Sequence, residues 1–139
     1  MNTTSVSESD RLRFVLAGLR SAGVSMMYQD INLVIRFAAN LPASWPLGGT
    51  LEGATDEAVF TPEHAGSIIR AKRTVLETGK PTTFEKYRDA DDKRHWYLLK
   101  IEPDIDADGE VIGVLTTITD IDDMKYRETV LKTLLRELS

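Results

Sequence analysis

The chain has 139 residues, a net charge of -5 and no cysteine. This length is enough for one ordinary domain that buries roughly two-thirds of its unfolded surface. An acidic surface repels a phosphate backbone, so we expect no nucleic-acid partner. The absence of cysteine excludes disulfides, thiolate catalysis and zinc–thiolate or iron–sulfur sites.

The sequence shows no sign of a membrane segment. No apolar run approaches the roughly 20 residues that a spanning helix needs. The first ten residues, MNTTSVSESD, are polar and acidic, unlike a signal peptide. We therefore expect no membrane partner and a cytoplasmic location.

The first predicted element is a flanking helix at residues 11–22, after a flexible N-terminus at 1–10. Capping residues occur in the run SESD at 7–10, and Gly23 is a typical helix stop. Leu12, Leu16 and Leu19 recur at helical spacing. This apolar stripe must pack either on the domain itself or on a second copy.

Two strand-like runs follow, at 24–28 and 33–37. The run QDIN between them supplies turn chemistry, which predicts a hairpin. Residues 40–57 contain proline and a glycine pair and look irregular. The longest interior helix is predicted to begin at Thr61-Pro62-Glu63 and to end at Gly79.

Three further strands are predicted at 82–87, 94–102 and 111–119, separated by polar turns, and an exit helix begins near residue 122. This order indicates an α+β fold. We expect a five-stranded antiparallel sheet with the two N-terminal strands in its middle. Helices would cover one face and leave a pocket beneath them.

The C-terminal half carries three motifs: RHWYLLKIEP at 94–103, DGEVIG at 108–113 and Asp120-Ile121-Asp122. Together they resemble a PAS domain, in which a Trp-containing strand ends in Pro, an Asp-Gly turn precedes Gly-x-x-Gly, and Asp-Ile-Thr closes the domain. The resemblance covers residues 24–122 and implies the PAS fold and a sensory role in signal transduction. Asp122 replaces the usual Thr, and we expect it to cap the exit helix as Thr would.

The last six residues, LLRELS, resemble the approach to the phosphoacceptor histidine of HWE-type and related bacterial histidine kinases. This likeness implies the sensor module of a two-component kinase, truncated before that histidine. Residues 123–139 would then be a signalling helix that leads to an absent kinase domain. The fragment itself would not be an enzyme.

Two sets of residues are expected to carry the signal. Asp120, Ile121 and Asp122 would form a hinge between the last strand and the exit helix. The exit helix places Met124, Leu131, Leu134 and Leu138 at coiled-coil spacing. An isolated helix of this length is marginal in water, so a parallel homodimer is expected, joined by Leu12, Leu16 and Leu19. The alternative is packing against the chain's own sheet.

A small-molecule ligand could occupy the pocket, although each residue that would line it could equally be ordinary core. The candidate lining residues are Met26, Tyr28, Val34, Ile35, Phe37, Trp45, Phe60, Ile69, Phe84, Tyr97, Leu99, Leu115 and Thr117.

No metal or tightly bound cofactor is expected, and the sequence does not identify one. Asp104, Asp106 and Asp108 match the first half of a calcium loop, but its twelfth position is Leu115 instead of Glu. His64 and His95 are the only histidines, and their positions do not favour haem. Flavin is disfavoured because the light-sensing subfamily's reactive cysteine motif is missing.

Two other functions stay open. The chain could be a ligand-free module for protein contact and dimerisation, which a dry and fully packed interior would support. It could also be a small curved-sheet isomerase-like enzyme, which would require a charged acid–base pair inside the pocket. The predicted strands offer mainly apolar and threonine side chains there, which disfavours the enzyme.

Overall fold

The computed structural model describes residues 5–41 and 51–138. Three α-helices and one short 3-10 turn accompany five strands. The helices are α1 (Glu8–Ser21), α2 (Pro62–Thr78) and α3 (Asp122–Leu138), and the 3-10 turn is Asp56–Ala58. The strands are β1 (Val24–Asp30), β2 (Ile35–Ala39), β3 (Thr82–Ala90), β4 (Lys93–Ile105) and β5 (Val111–Asp120).

The strands form one antiparallel sheet in the order β2-β1-β5-β4-β3. This confirms the predicted α+β class and the five-stranded sheet. The predicted place of the two N-terminal strands is wrong, because β5 is central and β2 lies at an edge. A hairpin signal fixes that β1 and β2 are neighbours, but it does not say which of them meets the C-terminal strands. The longer strand, β1, pairs with β5, from Val24 opposite Thr119 to Asp30 opposite Gly113.

Turn chemistry explains the two C-terminal hairpins. Asp91 and Asp92 both have positive φ, 54° and 60°, which suits the twist of a two-residue β3–β4 turn. Between β4 and β5, Asp106 Oδ1 accepts the N–H groups of Asp108 and Glu110, each at 2.9 Å. These local bonds fix the register of the three C-terminal strands.

The helix ends follow their capping residues. Ser7 Oγ accepts the N–H of Asp10, so α1 begins at Glu8, three residues earlier than predicted. Pro62 opens α2, and Gly79 closes it in the left-handed conformation with φ of 68°, as predicted. Thr61 occupies the N-cap position of α2, but its hydroxyl makes no capping bond.

The core lies between α2 and one face of the sheet, which we call the inner face. Ile68 and Val75 of α2 pack over buried residues of the strands. Those strand residues are Met27, Ile35, Leu99, Ile101, Val114 and Ile118. Helices α1 and α3 flank this core, contact mainly β1 and β4 respectively, and bury no residue. Within the described ranges, no helix combines the length and apolarity needed to cross a bilayer.

Candidate functional site

Strand register divides the predicted pocket residues between the two faces of the sheet. The inner-face core includes or contacts six of them: Ile35, Phe60, Ile69, Phe84, Tyr97 and Leu99. Trp45 lies outside the described residues.

Five predicted pocket residues lie on the other, outer face: Met26, Tyr28, Phe37, Leu115 and Thr117. A pocket under the helices therefore does not include them. The reason is the alternation of β1, in which Ser25, Met27 and Gln29 are buried. Because two of these inward residues are polar, the apolar pattern of this strand indicates the wrong face.

A buried polar cluster joins the inner face to the helices. Lys72 of α2 is fully buried, and its ammonium forms an ion pair with the carboxylate of Asp56, which is 1% exposed. Lys72 Nζ also donates to Gln29 Oε1 at 2.5 Å. The Gln29 amide donates in turn to Asp56 Oδ2 at 3.0 Å and to the carbonyl of Leu33 at 2.9 Å. The cluster thus ties α2, the 3-10 turn and β1 together.

Electrostatics explain why the members of this cluster occur together. Burial lowers the pKa of Lys72, and the charge of Asp56 opposes that change. The Phe60 ring lies 5.3 Å from the ammonium, which adds a cation–π contact. A charged pair is tolerated in a protein interior only when its hydrogen bonds are made, as they are here.

A small cavity of about 110 Å³ adjoins the cluster on the side of Asp56. Asn32, Thr55, Ile69 and Arg73 contribute to its wall.

Sequence patterns alone do not predict this cluster, although Lys72 offers one signal. Lys72 follows Ile68 by four residues and precedes Val75 by three, so it lies on the apolar stripe of α2. A lone lysine on a core-facing stripe requires an acidic partner. Which carboxylate pairs with it depends on the tertiary fold, because Asp56 lies sixteen residues away on another element.

The predicted hinge is bonded to strands on both sides of β5. The N–H of Asp120 donates to the carbonyl of Gly23 at 2.9 Å, just before β1. The N–H of Ile121 donates to the carbonyl of Trp96 in β4 at 3.0 Å, and the Ile121 side chain is buried. The start of α3 is therefore connected to the beginning of the domain and to its longest strand.

Asp122 does not cap α3 as predicted. The side chain of Asp120 accepts the N–H of Asp122 at 2.9 Å instead. The carboxylate of Asp122 points to β4, where Oδ1 accepts the N–H of Trp96 at 2.6 Å and Oδ2 lies 3.0 Å from Nδ1 of His95. Strand β5 ends opposite Tyr97, so the N–H of Trp96 lacks a β5 partner and the carboxylate takes that place.

From its first turn onwards, α3 presents an apolar stripe to solvent. Met124, Leu131, Leu134 and Leu138 are between 50% and 84% exposed. On α1, Leu12 is 53% exposed, and Leu16 and Leu19 are half-buried. The first turn of α3 is held by Lys125, which pairs with Glu85 at 2.5 Å and lies 4.8 Å from the Trp96 ring centre.

Most residues considered for metal or haem make other contacts, although Nε2 of His64 is buried without a hydrogen-bond partner. Asp104 accepts the hydroxyl of Tyr28 at 2.5 Å, and Asp106 closes the β4–β5 turn. His64 contacts the Tyr87 ring edge-on at 4.9 Å, and His95 faces Asp122. Across residues 5–41 and 51–138, no group of three histidine, aspartate or glutamate side chains could hold a metal ion.

Comparisons with known proteins agree with this architecture. No curated protein sequence matches the chain. Among solved structures, VqmA of Vibrio cholerae, solved as a dimer without its target DNA, superposes with a TM-score of 0.68 at 19% identity. The match covers 86% of this chain and 53% of VqmA, so the chain spans about half of that protein.

Two other structures match over nearly their full length. A PAS domain from Colwellia psychrerythraea has a TM-score of 0.62 at 14% identity, covering 82% of this chain and 99% of its own. A sensory box sensor histidine kinase from Vibrio cholerae has a TM-score of 0.58 at 17% identity, covering 81% and 94%. The family model described as "PAS fold" matches residues 21–125. The chain therefore belongs to the PAS family, whose domains are generally sensory and non-catalytic modules.

Proposed function

We propose that the chain is the cytoplasmic sensory and dimerisation module of a two-component sensor histidine kinase. It would relay a stimulus through Asp120, Ile121 and Asp122 to α3. The observation that carries this proposal is the hinge: its backbone bonds to Gly23 and Trp96, while the helix that it starts exposes an apolar stripe. The likeness of LLRELS to the segment that precedes the phosphoacceptor histidine in HWE-type kinases supports the same output.

The mechanism is a shift between two populated arrangements of the exit helix. A stimulus that moves β1 or β4 changes the positions of the carbonyls of Gly23 and Trp96. Because the N–H groups of Asp120 and Ile121 are bonded to these carbonyls, the start of α3 moves with them. In a dimer, this movement changes how two α3 helices cross.

A parallel homodimer provides the partner that the stripe lacks. Met124, Leu131, Leu134 and Leu138 form the proposed seam, and Leu12, Leu16 and Leu19 of α1 extend it. The VqmA likeness is consistent with this assembly, because that protein was solved as a dimer.

Sedimentation equilibrium of the purified chain tests the seam. Wild type should sediment as a dimer, and Leu131→Asp with Leu134→Asp should be monomeric. Thr133→Asp adds one negative charge on the opposite side of α3 and should stay dimeric. A monomeric wild type, or dimeric seam variants, would exclude this interface.

The relay is tested with spin labels, since the chain has no cysteine of its own. Glu137→Cys places a single spin label near the end of each α3. Pulsed electron paramagnetic resonance then measures the distance between the labels of the two protomers. We expect one narrow distance for wild type and a broadened distribution when Asp120→Ala removes the bond to the N–H of Asp122. Asp10→Ala, on α1, is the control. Identical distributions for all three chains would contradict the relay.

The polar cluster favours a second candidate, a module for protein contact and dimerisation without a small ligand. Lys72, Asp56 and Gln29 bond to one another, and the cavity beside them is small. Mass spectrometry of a denatured extract, with an absorbance spectrum of the native protein, separates the candidates. A stoichiometric small molecule would support a ligand sensor, and a colourless, empty extract would support the contact module.

The enzyme alternative required a charged acid–base pair inside the pocket. Lys72 and Asp56 are such a pair, but they are 0% and 1% exposed. A general acid or base must reach the proton that it transfers, and neither group of this pair reaches a substrate-sized space. We therefore keep the non-catalytic proposal for this chain.

A further inference from the structure

A cleft of about 340 Å³ lies at the junction of the N-terminal helix, the sheet and the hinge. Its wall contains residues from the end of α1, from β1, β4 and β5, and from the segment after β2. This volume is within the range of small-molecule sites, roughly 300–1,000 Å³. The cleft is separate from the cavity beside Asp56, because the two share no lining residue.

Two side chains of opposite charge line this cleft. Arg20 is in the last turn of α1, and Asp120 is the last residue of β5. Both are exposed, and within residues 5–41 and 51–138 the guanidinium of Arg20 makes no hydrogen bond or ion pair. Asp120 uses Oδ1 to accept the N–H of Asp122 at 2.9 Å, so Oδ2 stays available for another donor. The cleft therefore offers a ligand one cation and one carboxylate oxygen.

Apolar groups form another part of the wall. Val24 of β1 and Leu41 after β2 are half-buried, and the side chain of Tyr97 of β4 is 5% exposed. Burying an aliphatic or aromatic group against these side chains removes apolar surface from water. The cleft thus combines two charges with a small apolar surface.

Hydrogen bonds of Asn40 hold two walls of the cleft together. Its side-chain amide donates to the carbonyl of Leu16 in α1 at 2.9 Å, and its own carbonyl accepts the hydroxyl of Ser25 in β1. Asn40 has a positive φ of 58°, which asparagine adopts more readily than most residues. Because α1 is fixed to the sheet in this way, Arg20 is held beside the cleft before any ligand binds, which lowers the cost of binding.

We propose that this cleft binds a small zwitterion, an α-amino acid with an apolar side chain. Its carboxylate pairs with the guanidinium of Arg20, which can donate two parallel hydrogen bonds. Its ammonium donates to Oδ2 of Asp120, and its side chain packs on Val24, Leu41 and Tyr97. The inference rests on the proposed sensory function, because it names the class of stimulus that the hinge relays.

The two charges distinguish a zwitterion from simpler ligands. An anion without an amine leaves Asp120 unpaired, and a cation without a carboxylate leaves Arg20 unpaired. A zwitterion pairs with both and so connects α1 to the end of β5. Because Asp120 is part of the hinge, this ligand contacts the relay directly.

Isothermal titration calorimetry of the purified chain tests the site, with L-leucine and L-phenylalanine as probes. Each probe is compared with two analogues, the amine that lacks the carboxylate and the carboxylic acid that lacks the amine. We expect both amino acids to bind, and each analogue to bind about tenfold more weakly, because one charged hydrogen-bonding partner is lost.

Charge-removing variants identify the residues. Arg20→Gln should weaken binding of the amino acids about tenfold but leave binding of the amines unchanged. Asp120→Asn should weaken the amino acids and leave the carboxylic acids unchanged. Arg11→Gln, elsewhere on α1, and Asp123→Asn, on α3, remove the same charges from exposed positions outside the cleft and should bind like wild type.

Three results would overturn the proposal: no heat from either amino acid, equal affinity for the amino acids and their amines, or unchanged affinity in Arg20→Gln. Each of them is distinct from failure of the proposed function, since sedimentation and the Asp120→Ala distances are measured without a ligand. If the amino acids bind as expected but leave the spin-label distances unchanged, the site stands and its connection to the relay is rejected.

Discussion

Helices α2 and α3 have the same length, 17 residues, and both carry an apolar stripe, yet only α2 is buried. Ala65, Ile68, Lys72 and Val75 of α2 are buried, whereas every residue of α3 stays at least partly accessible. Periodicity shows which residues of a helix share a face. It does not show whether that face is covered by the same chain or by a partner.

The polar side-chain contacts of the two helices differ in the same way. Lys72 and Asp56 are sealed in the core, where losing one partner leaves a desolvated charge. His95 and Asp122 remain partly solvated, so breaking their contact costs little of the free energy of unfolding. The first pair is therefore costly to break, and the second is suited to adjustment.

The strongest test of this comparison removes the buried carboxylate of Asp56. Asp56→Ala should lower the free energy of unfolding by about 3–5 kcal/mol, because the Lys72 ammonium is left buried without its counter-ion. Urea denaturation measures the change. Asp89→Ala, which breaks the exposed pair with Arg94, is the matched control and should cost less than about 1 kcal/mol.

A double variant separates charge from packing at the same position. Asp56→Leu with Lys72→Met replaces both charges by apolar groups and should recover much of the stability that Asp56→Ala loses. Recovery would show that the main cost of the single variant is the unpaired charge. If the double variant were as unstable as the single one, the packing around Asp56 or the lost hydrogen bonds of buried Gln29 would be the larger factor.

Gly113, on the outer face of the sheet, is tightly packed, whereas the apolar stripe of α3 is exposed. A Cβ at Gly113 would lie 2.6 Å from the carbonyl oxygen of Gln29 and closer still to the Tyr28 hydroxyl. We expect Gly113→Ala to destabilise the fold by about 1–3 kcal/mol, as overpacking does. Gly18→Ala in α1, where nothing lies within 4 Å, should stabilise by about 0.5–1 kcal/mol. Thermal unfolding compares the two variants.

Local sequence signals predict the fold class, the five strands and the ends of α2. They do not predict which face of β1 is buried or which groups the hinge contacts. The stop at Gly79 and the capping run at Ser7 depend on neighbouring residues, so sequence suffices for them. Met27 of β1 enters the core instead of Met26, because the polar residues Ser25 and Gln29 are buried on the same face as Met27. Their partners, Asp56 and the carbonyl of Asn40, belong to other elements, so sequence alone does not reveal them.

The sequence does not reveal the partners of Asp122 either, because they also lie on another element, β4. An aspartate at the start of a helix ordinarily caps it, and the cap was predicted on that basis. The observed contact with Trp96 and His95 arises because β5 ends opposite Tyr97, one residue short of Trp96 in the register. Only the pairing of β4 with β5 shows that a backbone donor is left without a strand partner there.

The Tyr28 hydroxyl makes the outer face sensitive to alkali. Its hydrogen bond to Asp104, burial and the repulsion of nearby carboxylates raise the pKa of Tyr28 to about 12, from an ordinary value near 10. The folded state therefore holds this proton more tightly than the unfolded state. The stabilisation is complete below pH 10 and is lost as the pH rises towards 12.

Tyr28→Phe checks that assignment. Wild type should be about 1 kcal/mol more stable than the variant at pH 7, and this difference should shrink between pH 10 and 12. Chemical denaturation at several pH values measures it. A difference that stays constant up to pH 12 would show that Tyr28 does not provide the alkaline sensitivity.

The smallest expected effect on unfolding is on α3 itself. Leu134 is 55% exposed, so Leu134→Asp should change the free energy of unfolding by less than about 0.5 kcal/mol when measured below the dimer dissociation constant. Val75→Asp places the same charge on the covered stripe of α2, where Val75 is 1% exposed, and should prevent folding. Circular dichroism at equal concentrations compares them. If Leu134→Asp unfolded the chain as Val75→Asp does, the α3 stripe would be covered by its own domain, and the proposed difference between the two helices would disappear.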